Sequence, residues 1–492
     1  MQPFTLTGSP SAGRIPLSMW PVSNPKTGAM MTVRTSGSGA VRIGWASRDI
    51  TPSRPVVLRG QFYVRISEGA NDPITATALA IESAGGGQAI IVSCDLVGVS
   101  ADEQDRVRQA LAGRLPGFDP RMLFLHGTHT HTAPTLTEGP YPPQAPPVMS
   151  PTEYADLFVA KVAEAAEEAW KSRSPGGISW AYGHAVVGHN RRAVYLDGSA
   201  RMYGKTNVPE FANIEGYEDH GLNLLFTWDA KGKLTGMVVN LACPSQVDEH
   251  LKLVSADYWH ETRQELRKRY GEALPILPQC SPAGDQSPHL MLRKDLEAAM
   301  RQRTGLTERQ EIARRIARGV EDVFEGAKDD IRTELAVTHH VETLELPARK
   351  VTAEEYEQAK AEVVKLEADR EMEASQRFVH IRRNRDVAKR YEAQGDAPVQ
   401  PVELHVLRIG EVAMATNPFE LFLDFGIRIK ARSKSLQTFL VQLACEYNGY
   451  LPTQKAVDGR SYGAEVASNL VGPAGGQALV NRTVELIADL WS

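Results

Sequence analysis

The run Leu123-Phe124-Leu125 leads into His126-Gly127-Thr128-His129-Thr130-His131-Thr132, and this stretch limits the fold more than any other. An apolar strand ending in a cluster of imidazoles is buried along its length and open to chemistry at its C-terminal end, which is how open α/β sheets present their sites. If the strand continues, His129 and His131 project from one face, because side chains alternate with a period of two. Two imidazoles on one face can share a metal ion. The intervening threonines favour extended backbone and offer hydroxyls that orient ligating histidines. The plainer alternative is a polar strand end whose histidines only hydrogen-bond.

Strands and helices alternate around this stretch, which argues for an α/β core. Strand patterns cover 41–46, ending before Thr51-Pro52, then 74–81 and 89–94, the last delivering Asp95 to its end. A helix is expected over 104–115 and the next strand over 122–126. The proline-rich loop 139–147 follows the histidines, as a wall or lid for them or as an ordinary surface connection. It gives way to Ser150-Pro151-Thr152-Glu153, which has an N-cap serine, a proline at the first helical position and a glutamate three residues after the cap. Segments 222–228 and 234–242 read as a β-hairpin. Helices are expected over 255–270 and from the Thr307…Gln310 capping box. Residues 352–395 read as a charged, solvated helical hairpin. Strands return at 404–409, 412–416 and 438–445.

The 492 residues carry 55 basic and 60 acidic side chains, a net charge of −5, so no basic surface for nucleic acid is expected. The four cysteines Cys94, Cys243, Cys280 and Cys445 are far apart in apolar runs, the usage of buried thiols in a reducing compartment. No apolar run approaches the ~20 residues of a membrane span, and the N-terminus shows no secretory signal, so a soluble, cytoplasmic chain is expected unless a signal lies upstream of this start. Residues 1–40, rich in Ser, Gly, Thr and Pro, are expected to be disordered or a non-native start, with the folded domain running from 41 to 492.

Four more stretches place polar, chemically capable residues after apolar strands. Gly188-His189-Asn190-Arg191 offers an arginine that can clamp a carbonyl or carboxylate. Ala283-Gly284-Asp285-Gln286-Ser287-Pro288 holds a serine on a tight turn. Asn417-Pro418-Phe419-Glu420 places a carboxylate near a helix N-terminus, where capping is its ordinary role. Glu446-Tyr447-Asn448-Gly449-Tyr450, with Tyr462 beyond it, gathers tyrosines in a Gly/Pro-rich loop.

In this order, His129-Thr130-His131, Gly284-Asp285-Gln286-Ser287-Pro288, Pro418-Phe419-Glu420 and Asn448-Gly449-Tyr450…Tyr462 resemble the neutral/alkaline (non-lysosomal) ceramidase family. Ile50-Thr51-Pro52, Asp72-Pro73-Ile74-Thr75-Ala76, Asp95 and Asn190-Arg191 support the resemblance. It implies a fold of mixed, stacked β-sheets flanked by helices, and a zinc-dependent amidase that cleaves an N-acyl bond. It further implies His129, Glu420 and Tyr450 as zinc ligands, with His131, Arg191 and Tyr462 around the scissile amide and Ser287, beside Asp285, as the active-site serine. The serine attacks, or zinc-activated water attacks while Ser287 and Tyr462 stabilise the oxyanion; His131 serves as general acid or base.

The sequence departs from the family in one ligand. The family histidine of an Ala-Cys-His-Pro-like stretch is missing, because Cys243 is followed directly by Pro244. Cys243, Gln246, Glu249 and His250 are the nearby replacements, and a site that binds no metal is the other reading. The chain also ends soon after Tyr462, so the family's C-terminal β-sandwich domain is not expected. The substrate is a small or lipid-like molecule, and ceramide itself is not required. Two other functions fit the same residues. One is a metal-dependent hydrolase of a soluble carbohydrate or glycoconjugate, with Asp95, Asp285 and Glu420 as acid and base. The other is a catalytically inactive binding module.

Overall fold

The computed structural model describes residues 32–492. The strands of its main sheet are β1 (Thr32–Asp49), β2 (Thr75–Ser83), β3 (Gln88–Cys94), β4 (Leu123–Gly127), β5 (Ser174–His184), β6 (Gly221–Asp229), β7 (Leu234–Leu241), β8 (Ile276–Cys280), β9 (Glu334–Pro347), β10 (Val399–Ile409), β11 (Val412–Thr416) and β12 (Gln437–Val441). They form one sheet in the order β8-β7-β6-β5-β1-β9-β10-β11-β12, with β2, β3 and β4 branching from β1. The pairs β3/β4, β7/β8 and β11/β12 are parallel and the other pairs antiparallel, so the sheet is mixed.

The 18-residue β1 creates the stacking. Its first half pairs with β9 from Thr32↔Glu342 to Ala40↔Glu334, and its second half pairs with β2 from Val41↔Ser83 to Asp49↔Thr75. The sheet therefore folds over on itself. Leu79, Ile81, Ile91 and Phe124 from one layer meet Leu225, Val238, Leu407 and Phe439 from the other in a shared core. Along β2 the alternate residues Ala76, Ala78 and Ala80 face a different core. That is why these strands read as continuous apolar runs: both faces are covered.

Helices close the outer faces. The helices α1 (Ala101–Leu111) and α2 (Pro151–Lys171) cover β2–β4, burying Val107, Leu111, Tyr154 and Phe158. The next two, α3 (Tyr258–Tyr270) and α4 (Glu308–Lys328), cover β6–β8 through Trp259, Leu266, Ile312 and Ile316. The hairpin is α5 (Ala353–Ala368) and α6 (Ala374–Ala393), and α7 (Leu423–Arg432) with α8 (Pro473–Leu490) covers β10–β12. Each large side chain withdrawn from water in these contacts contributes about 1.5–3 kcal/mol. The capping boxes at Ser150/Glu153, Thr307/Gln310 and Thr352/Glu355 all form. Among the described residues no helix is long and apolar enough to cross a membrane, and all four cysteines are buried and unpaired.

Two expectations change. Residues 32–40 are not a disordered start; they belong to β1. Strand pairing uses backbone groups and tolerates Ser and Gly, and at Gly37 it needs glycine, since a Cβ there would lie 2.1 Å from the Gly85 carbonyl carbon. The remaining residues, 1–31, lie outside the described residues. The helix expected over 104–115 is α1, which starts earlier at the Ser100/Glu103 capping box and ends at Leu111.

Candidate active site

The strand β4 does not continue through the histidines. It stops at Gly127, where a Cβ would lie 2.9 Å from Gly98 Cα and Leu96 O, and the chain then turns with His129 in the left-handed region at φ 64°. The expected alternation is therefore wrong, yet the two rings still meet, with centroids 4.9 Å apart. His129 N–H donates to Leu96 O (2.9 Å), and His131 N–H to Ser245 O (3.3 Å), which lies past the end of β7.

A row of imidazoles and carboxylates results. His129 Nδ1 is 2.9 Å from the Val97 carbonyl oxygen, while its Nε2 is 3.3 Å from Glu420 Oε2 and 3.3 Å from His131 Nε2. His131 Nδ1 lies 3.0 Å from Glu249 Oε2, close enough to pair although poorly aligned as a hydrogen bond, and Glu249 Oε1 is 3.4 Å from His289 Nε2. Glu420 arrives on a two-residue strand, Glu420–Leu421, paired in register with Tyr450–Leu451, so the sheet sets Glu420 beside Tyr450. Burial raises the Glu420 carboxyl, but the charge and hydrogen bond of His129 and the hydroxyls of Tyr450 and Tyr447 outweigh it and hold it at about 2. Tyr447 OH donates to Glu420 Oε1 at 2.7 Å. Burial takes the His131 imidazole down to about 4.

A second group adjoins the first through Tyr450. Arg191 is buried; its Nη2 donates to Tyr450 OH (3.3 Å) and Gly284 O (2.9 Å), and its Nη1 donates to Tyr203 OH (2.8 Å). Ser287 is fully buried, and its Oγ accepts from Tyr203 OH (3.1 Å), Gln246 Nε2 (3.2 Å) and the backbone N–H of His289 (3.1 Å). Tyr462 OH donates to Tyr450 OH (3.1 Å), and burial followed by the charge of Glu420 pushes its phenol up to about 12. Arg191 Nε and Gln246 Oε1 are buried without a partner.

The structure thus brings together His129, His131, Glu420, Tyr450, Arg191, Tyr462 and Ser287. The Asp285 side chain stands apart: its Oδ2 accepts from Asn190 Nδ2 and its Oδ1 from the Leu423 N–H, each at 2.9 Å, so it ties two loops together, while its backbone carbonyl accepts from the Arg191 N–H at 2.9 Å. Asp95 is likewise committed, to Arg263 at 2.8 and 3.0 Å. Of the replacements for the missing histidine, Cys243 donates to Pro244 O and is held protonated by burial. His250 is exposed and paired with Tyr63, while Gln246 and Glu249 sit as described above. Sequence reasoning missed Tyr203 and His289, and it quoted Tyr447 within its stretch without giving it a role. Tyr203 sits in the left-handed region at φ 56° in a polar loop, and no sequence pattern marks it.

One other cluster could hold a cation: donor atoms of Glu403, His405 and Cys445 lie within 4.8 Å of one another. The Arg108 guanidinium grips both Glu403 oxygens at 2.9 and 2.7 Å, and burial keeps the Cys445 thiol protonated. A guanidinium already supplies the positive charge there.

No protein-family model matches the sequence, and no curated protein does. Solved structures do. The neutral ceramidase from Pseudomonas aeruginosa superposes with a TM-score of 0.66 at 18% identity, over 92% of this chain and 75% of that one. A ceramidase complexed with C2 superposes with a TM-score of 0.64 at 16% identity, over the same shares. The stacked mixed sheet and its flanking helices thus have the fold of neutral ceramidase.

Proposed function

We propose that this chain is a zinc-dependent hydrolase of N-acyl amides, with His129, Glu420 and Tyr450 as residues that would hold the ion. The donor set fits: His129 presents Nε2 because the Val97 carbonyl can only accept from Nδ1–H, Glu420 is held ionised, and Tyr450 lies against it. Lewis acidity toward the acyl carbonyl is the chemistry such an ion supplies.

The observation that carries the amide reading is the pair of orphaned buried atoms. Arg191 Nε is an unused donor and Gln246 Oε1 an unused acceptor, and both side chains converge on the Tyr203 hydroxyl. A buried polar atom without a partner is costly. A substrate amide relieves both, its carbonyl accepting from Arg191 and its N–H donating to Gln246. Ser287 Oγ already accepts three hydrogen bonds and has no imidazole or carboxylate to take its proton. It therefore serves better as a donor to the developing oxyanion than as the nucleophile, which leaves that role to water. In this reading His131 takes the proton of the attacking water, and Tyr462, which burial keeps protonated, gives one to the leaving nitrogen.

The carbohydrate reading needs an acid and base pair, and two of its three carboxylates are committed elsewhere. The inactive-module reading leaves the orphaned pair without a purpose. The test is a panel of N-acylated amines of increasing acyl length, with matched esters and glycosides. Release of free amine that stops on chelation and returns with zinc is expected. Glycoside cleavage without amide cleavage would contradict it.

A further inference from the structure

We infer that the amine half of the substrate carries a carboxylate, and that Arg59 and Arg383 recognise it. The chain then acts on N-acyl amino acids in preference to neutral N-acyl amines. The inference rests on the amidase reading above and adds to it the chemical class of the substrate.

The segment 59–64 forms a roof over the histidines. Gly60, at φ 112°, lies so close to His131 that a Cβ would be 2.5 Å from the ring, an approach that only glycine permits. The Arg59 N–H donates to Ala133 O at 2.9 Å, Tyr141 OH donates to Gln61 O at 2.7 Å, and the Val64 N–H donates to Ser375 Oγ of α6 at 2.9 Å. Two side chains of this roof reach the tyrosines of the site. Arg59 Cζ stands 4.7 Å from the centroid of the Tyr447 ring, and the Phe62 ring meets Tyr462 edge-on at 5.3 Å. Against Phe62, α6 places Arg383, with Cζ 4.9 Å from the ring centroid. Val379 of the same helix packs beside Phe62 and fixes that placement.

These two cations are not neutralised within the protein. The Arg59 guanidinium donates to Thr137 Oγ1 at 3.4 Å, and that of Arg383 to Ser468 Oγ at 2.8 Å. Both side chains are half-buried, and among the described residues no carboxylate pairs with either; residues 1–31 contain no Asp or Glu that could. A ring face attracts a cation but carries no net charge, so Tyr447 and Phe62 hold the guanidiniums without cancelling them. Two further arginines stand beside them. Arg65 is buried against the carbonyls of Leu251, Arg59 and His131, and Arg382 lies 3.1 Å from Asp386. Glu249, the other carboxylate near Arg65, is taken up by His131 and His289. The wall is therefore positive, with guanidinium N–H groups open to a ligand, and a guanidinium fork matches a carboxylate.

The proposed chemistry decides which half of the substrate meets it. Arg191 and Gln246 take the amide, and Tyr462 serves the leaving nitrogen, so the amine half lies on the Tyr462 side, against Phe62. In an amino acid the carboxylate sits one carbon from that nitrogen and follows it toward Arg59 and Arg383. A neutral amine gives those cations nothing in exchange for their water.

The test compares hexanoyl-glycine with hexanoyl-ethanolamine, which share the acyl chain and the amide and differ in charge, as substrates of the full chain supplied with zinc. The ratio of their kcat/KM values is expected to favour the glycine derivative by about 10–100-fold, and to shrink with added salt. It should fall by about tenfold or more in Arg59→Gln and in Arg383→Gln, chiefly through KM, with circular dichroism confirming each fold. Arg385→Gln, on the exposed side of the same helix where it pairs with Glu367, should keep the wild-type ratio. A ratio near one in the wild type, or an unchanged ratio in either folded arginine variant at the wall, would overturn the inference and leave the amidase reading standing. If neither amide is cleaved, the amidase reading falls, and calorimetry with hexanoyl-glycine decides the anion site by itself. Binding that weakens about tenfold or more in both wall variants upholds the site; no binding, or equal binding in the wild type and the variants, overturns it.

Discussion

At the level of single residues, the site is held by side chains that the motifs do not include. Tyr203 receives Arg191 and Gln246 and donates to Ser287, so one hydroxyl positions three groups. Tyr203→Phe is expected to lower kcat/KM for an N-acyl substrate by about 100-fold through misplacement, while costing stability only about 1 kcal/mol; a steady-state assay beside thermal unfolding separates the two. Unchanged kcat/KM would remove Tyr203 from the site. Glu446 offers a pH prediction. Burial and the charge of Glu403 raise its carboxyl to about 7 against the hydrogen bond from Asn448. Its folded pKa lies above its unfolded one, so the stability of the protonated form is present below about pH 4.5 and lost as pH rises toward 7. Glu446→Gln should therefore gain on the wild type between pH 5 and 8, by on the order of 2 kcal/mol; a parallel pH dependence in the two proteins would contradict this. His129, Arg191, Ser287, Glu420, Tyr450 and Tyr462 were legible because each follows an apolar strand or sits in a recognisable motif. Tyr203 and His289 were not, because contacts between distant loops leave no local pattern.

Among the elements, the caps were the most readable features, since a capping box is a short-range arrangement of side chain and backbone. The two-residue strands that align Glu420 with Tyr450 and Ser287 with His189 were invisible, because their register is set by the loops around them. The charged hairpin α5–α6 was read as solvated, and much of it is. Its inner face nonetheless reaches the site wall: His380 stacks on Phe62 at 5.5 Å, and Phe62 meets Tyr462 edge-on at 5.3 Å. The first half of β1 was misread because composition overrode pairing. Gly37→Val, which forces a Cβ into Gly85, should destabilise the chain by about 1–3 kcal/mol; an unchanged denaturation midpoint would show that this half of β1 contributes nothing to the fold.

For the whole molecule, the order of motifs carried more than overall similarity did. At 16–18% identity to the solved ceramidases, the shared fold rests on buried strands that only need to stay apolar, while the proposed chemistry rests on a few positions at strand ends. That separation lets a residue at a strand end change without disturbing the sheet. The proposed function stands on the His129–Glu420–Tyr450 group being a metal centre. Elemental mass spectrometry of the purified chain with His129→Ala beside it tests this most directly. About one zinc per chain is expected in the wild type, lost in the variant with the fold intact; no metal in either protein, or equal metal in both, would show that the group is not a metal centre.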